Sequence, residues 1–100
     1  MDDLVQLQEW FRSRCDGDWE HSSGIQIDSL DNPGWCLRVT LGDIPLEKQF
    51  LPIQRERSED DWTHYRIENG TYVAYGGPSN LTEMIRDFLN WESGGPNGNH

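Results

Sequence analysis

Between Cys15 and His21 the chain reads CDGDWEH, setting Asp16, Asp18 and Glu20 at alternate positions among a thiol, an indole and an imidazole. Carboxylates and imidazoles are metal ligands, and Asp-x-Asp is how a calcium-binding loop begins. The rest of that loop is missing. Counted from Asp16, an EF-hand needs glycine at its sixth position and a bidentate acid at its twelfth, where this chain has His21 and Ile27. The same stretch, with His64, offers carboxylate and imidazole for acid–base chemistry, Glu20 and His21 being the adjacent pair. HExxH, GxSxG, a P-loop and a dinucleotide fingerprint are all absent, and Gly76-Gly77 lacks the lysine and spacing of a phosphate cradle. A turn that presents charge is the more economical reading, with no catalytic residue, metal or cofactor expected.

The elements around this turn are legible from periodicity. Asp2 and Asp3 suit a helix N-terminus, and Leu4, Leu7, Phe11 and Cys15 fall on one face of a helix spanning roughly residues 3 to 15. Gly17 then provides a residue tolerant of positive φ. Ile25 and Ile27 alternate with polar neighbours, as do Trp35, Leu37, Val39 and Leu41, which predicts two half-buried strands. Asp31-Asn32-Pro33-Gly34 between them has the proline and glycine of a type II turn. EKQFLPIQRER resumes extended character, with Pro52 fit only for an edge or a bulge. Two further strands flank Asn69-Gly70, a type I′ hairpin signal.

A last helix spans about residues 80 to 92, with Ser79 or Asn80 as N-cap and Asn80 and Glu83 at capping-box spacing. Leu81, Ile85, Phe88 and Leu89 form its apolar stripe. SGGPNGNH beyond it has no large apolar side chain, so residues 94–100 are expected to be a disordered tail behind a domain of residues 1–93. The fold class is α+β: a four- to five-stranded antiparallel sheet with an N-terminal and a C-terminal helix packed on one face.

With 100 residues the chain has room for one core, and 11 aromatic residues supply much of it. Eighteen acidic against eight basic residues leave a net charge of −10, and residues 1–35 hold eight acids against Arg12 and Arg14. Lys48 and the arginines are dispersed, which argues against nucleic acid as a direct partner. No long apolar run or leader pattern is present, so no membrane contact and a cytoplasmic location are expected. Cys15 and Cys36 form no CxxC pair and are expected to be reduced. Trp10 and Trp35 read as core, whereas Trp19 and Trp62, ringed by acids, read either as covers of the core or as anchors for a basic partner.

The stretch LQEWFRSRCDGDWEHSSGIQIDSLDNPGW, a later DW and GGPSNLTEMIRDFLNW resemble the immunity protein 53 family over residues 4 to 92. Its members are small bacterial proteins associated with polymorphic toxin systems. Cys15 to His21, Leu30 to Trp35, Trp62 and Gly76 to Leu81 carry the resemblance, and Ser23 and Cys36 depart from it. The resemblance implies a protein that binds and neutralises a cognate toxin. Carboxylates can occupy a cationic groove and steer association with it. Asp16, Asp18, Trp19, Glu20 and His21, joined by Glu59, Asp60, Asp61 and Trp62, are the expected contact residues for a toxin with a basic surface. Two other classes stay open: a small enzyme using Glu20 and His21 to reverse toxin damage, and an acidic interaction module without a toxin partner.

Overall fold

The Asp2 carboxylate accepts the Leu4 amide at 2.9 Å and so caps the first helix, α1, Asp3–Arg14. The stripe expected along it is only partly buried. Leu7 is 4% exposed, but Leu4 and Phe11 are 49% and 37% exposed, and Cys15 lies exposed beyond the helix end. Trp10 accounts for the rotation. Its ring packs edge-on against Phe88 at 4.9 Å, so α1 leans on the C-terminal helix and leaves the Leu4–Phe11 side at the rim.

The computed structural model describes residues 2–42, 44 and 53–93. After α1 come a single turn of helix, α2 (Trp19–Ser22), the strands β1 (Gly24–Leu30), β2 (Gly34–Thr40), β3 (Ile53–Ser58), β4 (Asp61–Glu68) and β5 (Thr71–Gly76), and helix α3 (Leu81–Glu92). This is the expected α+β class, an antiparallel five-stranded sheet with an N-terminal and a C-terminal helix. The expectations for Pro52 and for the tail at 94–100 lie outside the described residues. No helix among the described residues is long and apolar enough to cross a membrane.

The strands do not pair simply in sequence. Their order is β1-β2-β5-β4-β3, so β5 is inserted between β2 and β4, and β3 forms the far edge. After β2 the chain passes the β4–β5 turn, where the amides of Leu41 and Gly42 both donate to the Gly70 carbonyl. That turn has φ of 49° at Asn69 and 76° at Gly70, the two positive values of the type I′ hairpin read from the sequence. The β1–β2 turn differs from expectation. Gly34 does not have positive φ; it is the first residue of β2, pairs with Leu30, and a Cβ there would collide with the Gly76 carbonyl oxygen. Glycine at 34 therefore serves a close approach of two strands and not a type II turn.

α3 lays Met84, Ile85, Phe88 and Trp91 over Leu37, Val39, Tyr65, Tyr72 and Ala74, and Leu7 of α1 completes this core. The capping box is also not as expected. The Asn80 side chain makes no cap hydrogen bond to α3; its amide donates to the carboxylates of Asp61 and Glu83, both at 3.0 Å, and its oxygen accepts the Trp62 amide at 3.2 Å. At 6% exposure it bridges β4 to the helix start, because β4 brings the Asp61 carboxylate and the Trp62 amide within reach of its own buried polar atoms.

Candidate functional site

The CDGDWEH turn folds largely on itself. Asp16 Oδ1 accepts the amides of Asp18 and Trp19, each at 3.0 Å, and these hydrogen bonds hold its carboxyl below the usual range. Glu20 Oε1 and Oε2 accept the amides of Asp16 at 3.0 Å and Gly17 at 2.9 Å, and Gly17 takes φ of 99° as anticipated. Trp19 packs edge-on against Trp10 at 5.8 Å and Phe11 at 5.9 Å, with the Arg14 guanidinium over both indoles. Asp16, Trp19 and Glu20 thus build the junction. Asp18 and His21 remain exposed, and among the described residues the Asp18 carboxylate has no hydrogen-bond or ion-pair partner.

The second predicted group divides in the same way. Asp61 sits against Arg57 at 2.7 Å, and hydrogen bonds from Arg57 and then Asn80 hold its carboxyl below the usual range. Arg57 also meets Glu83 at 2.6 Å, while Arg55 meets Glu83 at 3.2 Å and Asp87 at 2.7 Å; the Tyr65 hydroxyl donates to Asp87 at 2.6 Å. This network ties the β3 edge to α3. Sequence reasoning missed it, although arginines at strand period, 55 and 57, and acids at helix period, 83 and 87, were its signal. Glu59 and Asp60, in the β3–β4 turn, are exposed, and neither carboxylate has a partner among the described residues.

The two groups do not form one patch. The first precedes Gly24, which pairs with Thr40 at one end of the sheet and on the β1 edge. The second lies where Ser58 pairs with Asp61, at the other end and on the β3 edge. Five strands at about 4.8 Å and six or seven residues at about 3.3 Å separate these corners by roughly 28 Å along the diagonal.

What spans the diagonal is the face of the sheet on which none of the described helices packs. Alternation from the buried Leu37, Tyr65 and Ala74 places Gln26, Cys36, Arg38, Val73, Tyr75, Trp62, His64, Arg66 and Glu56 on that face. Tyr75 is its centre: Arg38 Nη2 donates to the phenol oxygen at 3.2 Å and the Arg66 guanidinium stacks on the ring at 5.6 Å. His64 is 5.2 Å from the Trp62 ring and 3.0 Å from the Glu56 carboxylate. At the near corner His21, Ser22 and Ser23 border a shallow cleft of about 190 Å³ with Gln26, Arg38 and Thr40. His21 and Trp62 are therefore the anticipated residues that belong to this face. Tyr75 and Arg38 were not anticipated and His64 was considered only for acid–base chemistry; the strand alternation would have placed all three on this face.

Among the described residues no three histidine, cysteine or acidic side chains converge as a metal ion would require. Cys15 and Cys36 are both free thiols, one exposed and one buried. Glu20, with each oxygen on a backbone amide, is placed to hold a turn.

No curated protein and no solved structure matches the chain. The family model described as Immunity protein 53 matches residues 4–93, which takes in the self-capped turn, all five strands and α3. With nearly every described element inside that match, the chain belongs to the immunity protein 53 family.

Proposed function

We propose that this protein neutralises a cognate toxin by stoichiometric occlusion, seating a basic toxin surface on the face of its sheet that no described helix covers. The observation that carries the reading is an aromatic centre, Trp62, His64 and Tyr75, on a face no described helix covers, with free carboxylates at its diagonal corners. Buried aromatic anchors inside a polar rim are the usual anatomy of a tight interface. Scale supports the same reading: a standard interface of about 800 Å² per partner is roughly 30 Å across, enough to reach from Asp18 and His21 to Glu59 and Asp60. Asp16, Trp19, Glu20 and Asp61 act in this scheme by holding the corners in shape. A net charge of −10 attracts a cationic partner, and the acids at the corners of the face surround its central Arg38 and Arg66.

The test is co-purification with the product of the neighbouring toxin gene, followed by titration of toxin activity. Protection that saturates near one to one supports occlusion, and protection at substoichiometric amounts overturns it in favour of an enzyme. Replacing Asp18, Glu59 and Asp60 by lysine together is expected to weaken affinity at least tenfold and to reduce its salt dependence. Unchanged affinity and salt dependence would remove the acidic corners from the interface.

A further inference from the structure

The two edges of the sheet are built differently. β3 carries Arg55, Glu56 and Arg57, and its register with β4 shifts between Glu56 and Ser58, the charges and bulge by which an edge discourages further pairing. β1 has none of these protections. Over seven residues, GIQIDSL, it keeps an unbroken register with β2 and holds one charge, Asp28, with no lysine, arginine or proline. No described strand lies beside its other edge.

Three of the large apolar side chains that the described residues leave exposed lie on the facing elements: Leu4 and Phe11 on one side of α1, and Ile27 on β1. Leu7, Gln8, Phe11 and Ile25 line an open groove of about 250 Å³ between α1 and β1. Ile27 lies on the same side of the sheet as Ile25, two residues on. An unguarded strand flanked by an apolar groove offers backbone hydrogen bonds and burial together, which is the chemistry of strand addition.

We infer that β1 pairs with β1 of a second copy, antiparallel about Ile27, to join two sheets into one of ten strands. The register follows from charge and length. Pairing about Ile27 is the one that uses all seven residues of each strand. It sets each Asp28 carboxylate opposite the partner subunit's Gln26, an acceptor against an amide donor, and puts no like charges face to face. Pairing about Asp28 would oppose two carboxylates, and an odd offset would turn the Ile25 and Ile27 side to the other face. About Ile27 the two copies carry their helices on the same side, so Leu4 and Phe11 of each meet over the isoleucine pair. This contact is independent of the toxin surface, which lies on the opposite face.

Sedimentation of the full chain tests it, together with a symmetric cross-link. Oxidised Ile27→Cys in a Cys15→Ser background is expected to give a covalent dimer, because facing Cα atoms of antiparallel strands lie about 4.5–5.5 Å apart, within disulfide reach. Ile27→Lys is expected to raise the dimer dissociation constant at least tenfold with the circular dichroism spectrum unchanged, whereas Val5→Lys, outside the groove, leaves it as it was. Each copy carries −10, so added salt strengthens self-association while it weakens capture of a cationic toxin. A chain that stays monomeric at high salt, an Ile27→Cys protein that does not cross-link, or a dimer indifferent to Ile27→Lys would overturn the proposal. So would an Ile27→Lys protein that loses toxin binding while the parent chain is monomeric, which would assign this edge to the toxin.

Discussion

The side-chain amide of Asn80 donates to the Asp61 carboxylate at 3.0 Å, so the residue that starts the last helix is held by the first residue of β4. Helix-cap preferences rank asparagine and aspartate as equals, so Asn80→Asp would be neutral if residue 80 acted as a side-chain cap. In the bridging role it removes a donor and sets a third carboxylate against Asp61 and Glu83. The expected loss is about 2 kcal/mol, the scale for a buried hydrogen-bonding group deprived of its partner, read by urea denaturation. An unchanged midpoint would restore the capping role.

Glycines make a second, paired prediction. A Cβ at Gly77 would lie 2.9 Å from Asn80 Oδ1 and collide with the Asp60 carbonyl, and one at Gly34 would collide with that of Gly76, whereas one at Gly24 meets nothing within 4 Å. Gly77→Ala and Gly34→Ala are expected to destabilise by about 1–3 kcal/mol, since backbone must move. Gly24→Ala is expected to be neutral or stabilising by about 0.5 kcal/mol. Thermal melts of the three variants check the order.

In acid the β3–α3 network should give way early. Arg57 and Asn80 hold Asp61 below its ordinary 3.8, and they outweigh the burial that would raise Glu83, holding it below 4.5. Carboxyls lowered on folding contribute fully above their ordinary values, and the contribution disappears as pH falls through the lowered ones. Stability from these groups is therefore flat above pH 4.5 and declines below it. Arg57→Met should shallow that decline, measured as melting temperature against pH; an identical slope would mean the network does not drive it.

The self-capped turn predicts unequal aspartates. Asp16→Ala removes the acceptor of two amides and should lower the melting temperature, while Asp18→Ala, whose carboxylate has no partner among the described residues, should not. Equal effects would count against the division of this motif into scaffold and surface.

Helices, hairpins and the fold class were legible because each rests on contacts within a few residues: Asp2 under Leu4, Gly17 after α1, Asn69-Gly70 between β4 and β5. The place of β5 was not, because strand order depends on which edge a distant strand finds, and Trp35 with Gly76 leaves no local trace. The same limit governed the site. Asp16, Asp18 and Glu20 look alike as residue types, and only the amides around them separate those that shape the turn from the one that faces solvent. Tyr75 was overlooked for a different reason: alternation marks it as outward, and only the absence of a described helix over that face makes outward informative.

The insertion of β5 between β2 and β4 also bears on synthesis. The β1–β2 hairpin leaves the ribosome with β2 lacking its second neighbour, and Met84, Ile85, Phe88 and Trp91, which close the core, emerge after all the described strands. Until β5 is made, the β1–β2 and β3–β4 halves of the sheet have no strand to join them. The core is therefore closed only once α3 has been made.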